Sequence, residues 1–184
     1  SADYISRLIN LCSNQKVGLV IPTIDTELIP LAENRELFED AGISVVVSDL
    51  GLVQACRDKR LTSNLFNQIG IEAPRLIENP TPASLPLFAK PYDGSCSIDT
   101  HVLFESCDLT PELLANEKMM FFEYLDPEDH EEYTLDLYFD HQGQMKGLVP
   151  RLRLETRGGE VSKGRTVRLA ETARLQEVFQ NIQG

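Results

Sequence analysis

The feature that most constrains this fold is a change of hydrophobic period along the chain. Residues 3–15 place apolar side chains at helical spacing (Tyr4, Ile5, Leu8, Ile9, Leu11, Cys12). KVGLVIP then reads as a short buried strand stopped by Pro22, residues 26–41 as an amphipathic helix closed by Gly42, and ISVVVS as a second buried strand. That order predicts parallel strands joined by a crossover helix. From Tyr133 the period becomes two. YTLDLYFD and GLVPRLRLE alternate about an HQGQ turn, and GGEVSKGRTVRL forms a third such segment. The expectation is an α/β chain with a Rossmann-like first part and an antiparallel sheet in its last part.

The middle is punctuated by caps and prolines. Asp49 and Asp58 read as caps of helices over 50–56 and 59–69, and Gly70 and Pro74 mark the next break. ENPTPASLP is a loop, LFAK and THVLFE are short strands, and Thr110 with Pro111 opens the helix PELLANE. MMFFEYL is a buried strand that runs into the acidic loop DPEDHEE, and a last helix spans 170–182.

Charge narrows the partners. The net charge is −12, which argues against a nucleic-acid partner. Yet Lys146–Arg168 holds seven basic and two acidic residues, so that segment carries +5 and the remainder −17. A local basic surface on an acidic chain suits a small anion. No apolar run approaches the ~18–20 residues of a membrane helix. SADYISRLIN lacks a signal peptide's basic and apolar regions, so a cytoplasmic location is expected. The four cysteines are too scattered for a zinc site or disulfide framework: Cys12 and Cys56 read as core residues, whereas Cys96 lies in a polar loop. His130, alone among acids, reads as solvent-facing rather than as a metal ligand.

Two loops draw interest. PTIDTEL follows the first strand, where such sheets place ligands, although Asp25 reads more readily as a helix cap. FAKPYDGSCSID sets Lys90 before a Gly/Ser loop, the reverse of the order in G-x-x-x-x-G-K-[ST]. Alone, it fits a plain hairpin better than a phosphate loop.

The ordered series is more specific: a strand ending in Lys90, the GSCS loop, a strand, a helix, FFEYL, an acidic loop and EEYTLD. It resembles the ATP-grasp superfamily, and more narrowly the carboxylate-activating domain of the carbamoyl-phosphate synthase large subunit. The resemblance implies the back half of a Rossmann-like unit over 1–53. An incomplete ATP-grasp domain over 54–184 would follow, with a lid subdomain at about 75–122. It implies that Lys59, Lys90, Gly94, Ser95, Cys96 and Ser97 hold nucleotide phosphates, the loop acting as a mobile lid. Glu123 and the backbone of Tyr124 and Leu125 would read the adenine edge, and Glu132 would bind ribose hydroxyls. In VPRLRLETRGGEVSKGRTV, Arg151, Arg153, Lys163 and Arg165 would face the carboxylate and the transferring phosphoryl group from one side of a sheet. The implied activity is ATP-dependent carboxylate activation: an acyl phosphate forms and an amine or ammonia captures it. ATP and Mg2+ are the implied cofactors, a small carboxylate or bicarbonate the substrate, and a homodimer is compatible. The rival is a nucleotide-binding or regulatory module without turnover.

Two departures qualify this. Cys96 and Asp99 stand where the family usually has glycine, so a stiffer loop is expected, with Asp99 repelling phosphate if it faces inward. The family's metal-binding Glu and Glu-x-Asn pair are not found up to Gly184. The resemblance therefore implies a piece of a protein of ~300 residues whose metal ligands lie elsewhere.

Overall fold

The computed structural model describes residues 2–180 and 182. The chain divides into two compact units, one ending at Arg57 and one spanning 58–182.

In the first unit, α1 (Ala2–Gln15) precedes β1 (Leu19–Val20), α2 (Asp25–Glu33), α3 (Arg35–Asp40), β2 (Ser44–Val45) and α4 (Leu50–Arg57). β1 and β2 pair in parallel, as the strand–helix–strand pattern requires. The helix expected over 26–41 is broken at Asn34. Its side-chain Nδ2 donates to the Pro30 carbonyl (2.8 Å), the acceptor that its own backbone N–H would use in a continuous helix. That N–H turns instead to Leu31. At the end of α3, Gly42 has φ +73, and the N–H groups of Gly42 and Ile43 reach back to Glu39 and Phe38 (both 2.9 Å). This left-handed stop is the one expected for Gly42. Asp25 is not a cap: Ile24 holds that position, and Asp25 lies in the first turn, where its charge suits the helix dipole. Ile5, Cys12, Leu31, Phe38 and Ile43 form the core.

The second unit opens with α5 (Lys59–Gln68), capped by Asp58, whose carboxylate accepts from the Arg60 N–H (2.9 Å). β3 (Leu87–Pro91) is central to a three-stranded antiparallel sheet, flanked by β4 (His101–Leu103) and β5 (Met119–Glu123). Between β4 and β5 lies α6 (Pro111–Leu114), its N-terminus capped by Thr110 Oγ1. Leu87, Ala89, Leu103 and Phe121 fill the core on one face of the sheet, against Leu109 and Leu113. A second antiparallel sheet joins β6 (Tyr133–Phe139), β7 (Met145–Arg157) and β8 (Glu160–Thr166) in sequence order, and α7 (Thr172–Phe179) packs on β7. The helix expected over 170–182 is shorter, starting at Thr172 and ending at Phe179; residue 181 lies outside the described residues. Among the described residues no helix is long and apolar enough to cross a membrane.

Cys12 is buried as expected, but Cys56 is exposed. It lies on α4, where Val53 is the buried residue. Although the residue is exposed, its thiol is shielded enough for burial to push its pKa up. A thiol reagent is therefore expected to modify Cys56, Cys96 and Cys107 in the folded protein, with Cys12 reacting only on unfolding; mass spectrometry of a labelling time course checks this.

Candidate functional site

The period-two alternation of β3 builds the site. Leu87 and Ala89 point into the core, which turns Phe88 and Lys90 to the other face. Residues directly opposed across a ladder share a face. Phe88 is opposed by Val102 on β4 and Phe122 on β5, so the three form an apolar floor, with Lys90 one step further along. Above this floor lies a cavity of ≈ 570 Å³ that is also lined by Phe66, Leu125 and Glu132. A second cavity of ≈ 350 Å³ lies under the 94–98 loop and includes Lys59, Lys90 and Arg153. Both volumes fall in the range of small-molecule sites. Lys59, Phe88 and Lys90 line both cavities.

The expected phosphate residues converge on the second cavity. Lys59 Nζ donates to the Gly94 carbonyl (2.5 Å), and its backbone N–H donates to Tyr92 O (2.9 Å), tying the first turn of α5 to the loop. Tyr92 is further held by the Arg60 guanidinium 3.7 Å over its ring. Lys90 has no carboxylate partner among the described residues; its ammonium lies 5.1 Å from the Phe122 ring and 5.5 Å from the Phe88 ring. Burial, and secondly the positive charge of Lys59, hold its pKa below the ordinary lysine value. An unpaired, partly desolvated cation facing a cavity is costly unless an anion joins it.

The loop 92–100 is a true hairpin connection. Cys96, Ser97 and Asp99 all have left-handed φ (53°, 54° and 55°), a region costly for residues other than glycine. The departures from glycine at 96 and 99 thus coincide with positions whose backbone favours it. Asp99 is exposed and lines neither cavity.

At the other end, Glu123, Tyr124, Leu125 and Glu132 all line the larger cavity. The Glu123 carboxylate accepts from the Arg75 backbone N–H (2.8 Å), so its side chain is already engaged. Glu132 accepts from Arg153 Nη1 (2.7 Å). His130 is exposed, as expected, yet it borders the cavity, with Nδ1 against the Asp126 carbonyl (2.9 Å).

The four basic residues of β7 and β8 do not share one face. Arg165 is directly opposed to Leu152, which puts it on the face opposite Arg151 and Arg153. Arg151 is bound to Asp136 through two nitrogens, and Lys163 to Glu155 (2.5 Å). These contacts hold the Asp136 and Glu155 carboxyls below their usual range. Of the four, Arg153 alone lines either cavity. The irregular β7–β8 register, shifted between Arg153 and Thr156, cannot be read from alternation. Sequence reasoning also missed Phe88, Val102 and Phe122, whose signal was the period-two pattern of LFAK set against MMFFE. Among the described residues no group of three His, Cys, Asp or Glu side chains forms a metal site.

Across solved structures, the similarity runs over nearly the whole chain. One match is the biotin carboxylase domain of Hydrogenobacter thermophilus 2-oxoglutarate carboxylase, solved with MgADP, ADP and bicarbonate. It has a TM-score of 0.67 and 12% identity over 95% of this chain and 43% of that one. Campylobacter jejuni biotin carboxylase, in complex with a β,γ-ATP ligand, gives 0.67 and 12% over 95% and 44%. The Staphylococcus aureus N5-carboxyaminoimidazole synthetase complexed with ADP gives 0.63 and 14% over 96% and 49%. This chain has the ATP-grasp fold. It combines a parallel strand–helix–strand unit with antiparallel sheets, and it spans less than half the length of these neighbours. The family model for PylC-like N-terminal domains matches residues 1–46. No curated protein matches the sequence.

Proposed function

We propose that residues 58–182 bind an adenine nucleotide, with the base over the Phe88–Val102–Phe122 floor and the phosphates between Lys59, Lys90 and the 94–97 loop. The observation that carries this reading is Lys90, a partly buried cation that lines both cavities and has no carboxylate partner among the described residues. The ADP and ATP complexes named for the neighbours support it. In this reading the lid subdomain spans about 75–122, and residues 1–53 belong to the preceding Rossmann-like domain.

The activity we propose for the whole protein is carboxylate–amine ligation of the carbamoyl-phosphate synthase type. A carboxylate or bicarbonate oxygen attacks the γ-phosphorus, the bond to the β–γ bridging oxygen breaks, and ADP leaves. An amine or ammonia then attacks the acyl carbon and expels phosphate. Lys59 and Lys90 would stabilise charge on the phosphoryl oxygens and orient them. Magnesium would supply further charge neutralisation in such chemistry, but the described residues do not form a site for it. Binding without turnover is favoured for this segment by one observation: Arg151 and Lys163 are neutralised by Asp136 and Glu155.

Calorimetric titration with ADP across pH tests the reading. Lys90 must be charged to hold phosphate, and its pKa in the free protein is depressed. Between that value and the ~10.4 of unperturbed lysine, binding takes up a proton. ADP affinity is therefore expected to fall as pH rises through the depressed pKa, and Lys90→Arg should remove that dependence. Absence of ADP binding at neutral pH would overturn the proposal. Phosphate release stimulated by a carboxylate would separate ligase from binding module.

A further inference from the structure

The tip of the β3–β4 loop rests on the β7–β8 turn at a position where only glycine fits. A Cβ at residue 159 would lie 2.3 Å from Ser97 Oγ, 3.0 Å from Ser97 N and 3.1 Å from the Cys96 carbonyl carbon. The hydroxyl can rotate away; the two backbone atoms move only if the loop moves. Gly158 and Gly159 both have positive φ (+56 and +79), as tight hairpin turns require. A Cβ at 158, however, would meet nothing within 4 Å. The two glycines thus carry the same conformational demand, and only one carries the contact.

One side chain joins this seat to the larger cavity. Arg153 Nη2 donates to the Gly159 carbonyl (2.7 Å), while Nη1 donates to Glu132 Oε1 (2.7 Å) and the Arg153 backbone N–H donates to the Glu132 carbonyl (2.9 Å). The side chain is only 18% exposed, and its Nε is buried without a partner. Both outer nitrogens are held by protein acceptors, which does not suit a ligand of a transferring phosphoryl group. A planar guanidinium has a fixed fork, so the Arg153 orientation that reaches Glu132 also favours one placement of the Gly159 carbonyl.

We infer that Arg153 is a positioning residue that couples the ribose-side carboxylate of Glu132 to the glycine seat of the lid. Seating the sugar and closing the lid then favour one another, since such coupling is reciprocal. The coupling rests on the nucleotide reading; the seat itself does not.

Hydrogen–deuterium exchange of the intact chain, read on peptides covering 92–100 and 156–162, tests both parts. Without nucleotide, Gly159→Ala is expected to speed exchange across 92–100 about tenfold, equivalent to ~1.4 kcal/mol of closure. Gly158→Ala, with the same backbone demand and no contact, should leave 92–100 unchanged. Equal exchange in the two variants overturns the seat. Arg153→Lys keeps the charge but cannot span both acceptors. It should loosen 92–100 in the free protein and bring the calorimetric preference for ADP over 2′-deoxyADP towards one. This variant decides the proposal even if Gly159→Ala fails to fold, since an unchanged sugar preference with unchanged exchange overturns it. If wild-type protein binds no ADP, the nucleotide reading and the coupling fall together, while the exchange comparison in free protein still decides the seat.

Discussion

Replacing Lys90 by alanine is expected to weaken ADP binding by about 10- to 100-fold, because hydrogen bonds to charged groups contribute ~1.5–3 kcal/mol. The expectation has a second half that separates binding from folding. In the free protein the ammonium is partly buried, repelled by Lys59 and paired with no carboxylate among the described residues. Removing it relieves that cost, so the melting temperature of the free variant should not fall. A phosphate ligand explains the combination of weakened binding and undiminished stability; a lysine kept for packing would give the reverse. Calorimetry and thermal melts on the same preparations check both halves. Unchanged ADP affinity in the variant would remove Lys90 from the site.

The second large effect is expected in the first unit. Phe38 is fully buried, with Leu31 at 1% exposure beside it in a core cluster of five residues. Phe38→Ala should cost about 3–5 kcal/mol. A unit of this size is stabilised by only ~3–9 kcal/mol on ordinary per-residue figures, so much of that margin would be lost. Exchange protection in α1–α3 should collapse, whereas Leu37→Ala, at a residue 52% exposed, should have little effect. Every side chain lining the two cavities comes from residues 58–182, so ADP binding should survive Phe38→Ala. Retained protection of α3 in that variant would contradict the core described here.

The four basic residues of β7 and β8 show where sequence pattern stops being informative. Alternation predicts one basic face. The ladder sets Arg165 opposite Leu152, and acids elsewhere in the chain claim Arg151 and Lys163. A register shift reverses faces without changing composition, and an ion pair between β6 and β7 depends on which residues the ladder opposes. The broken helix at Asn34 is a milder case, in which a single side chain competes with the backbone for one carbonyl.

Local chemistry alone determined a good deal: the parallel β1–β2 pair, the stop at Gly42, the caps Asp58 and Thr110, the hairpin after Lys90 and the three alternating strands. Each depends on neighbours within a few residues, or on a period that the chain carries everywhere. The order of these elements was enough to point to the ATP-grasp fold. Only the tertiary structure decided that Phe88, Val102 and Phe122 make one floor, that Lys90 borders both cavities, and that Ser97 meets Gly159 across 62 positions of sequence. Those relations are set by strand register and by packing between separate segments. Neither leaves a periodic trace in the sequence, because each is a property of pairs of residues brought together by folding.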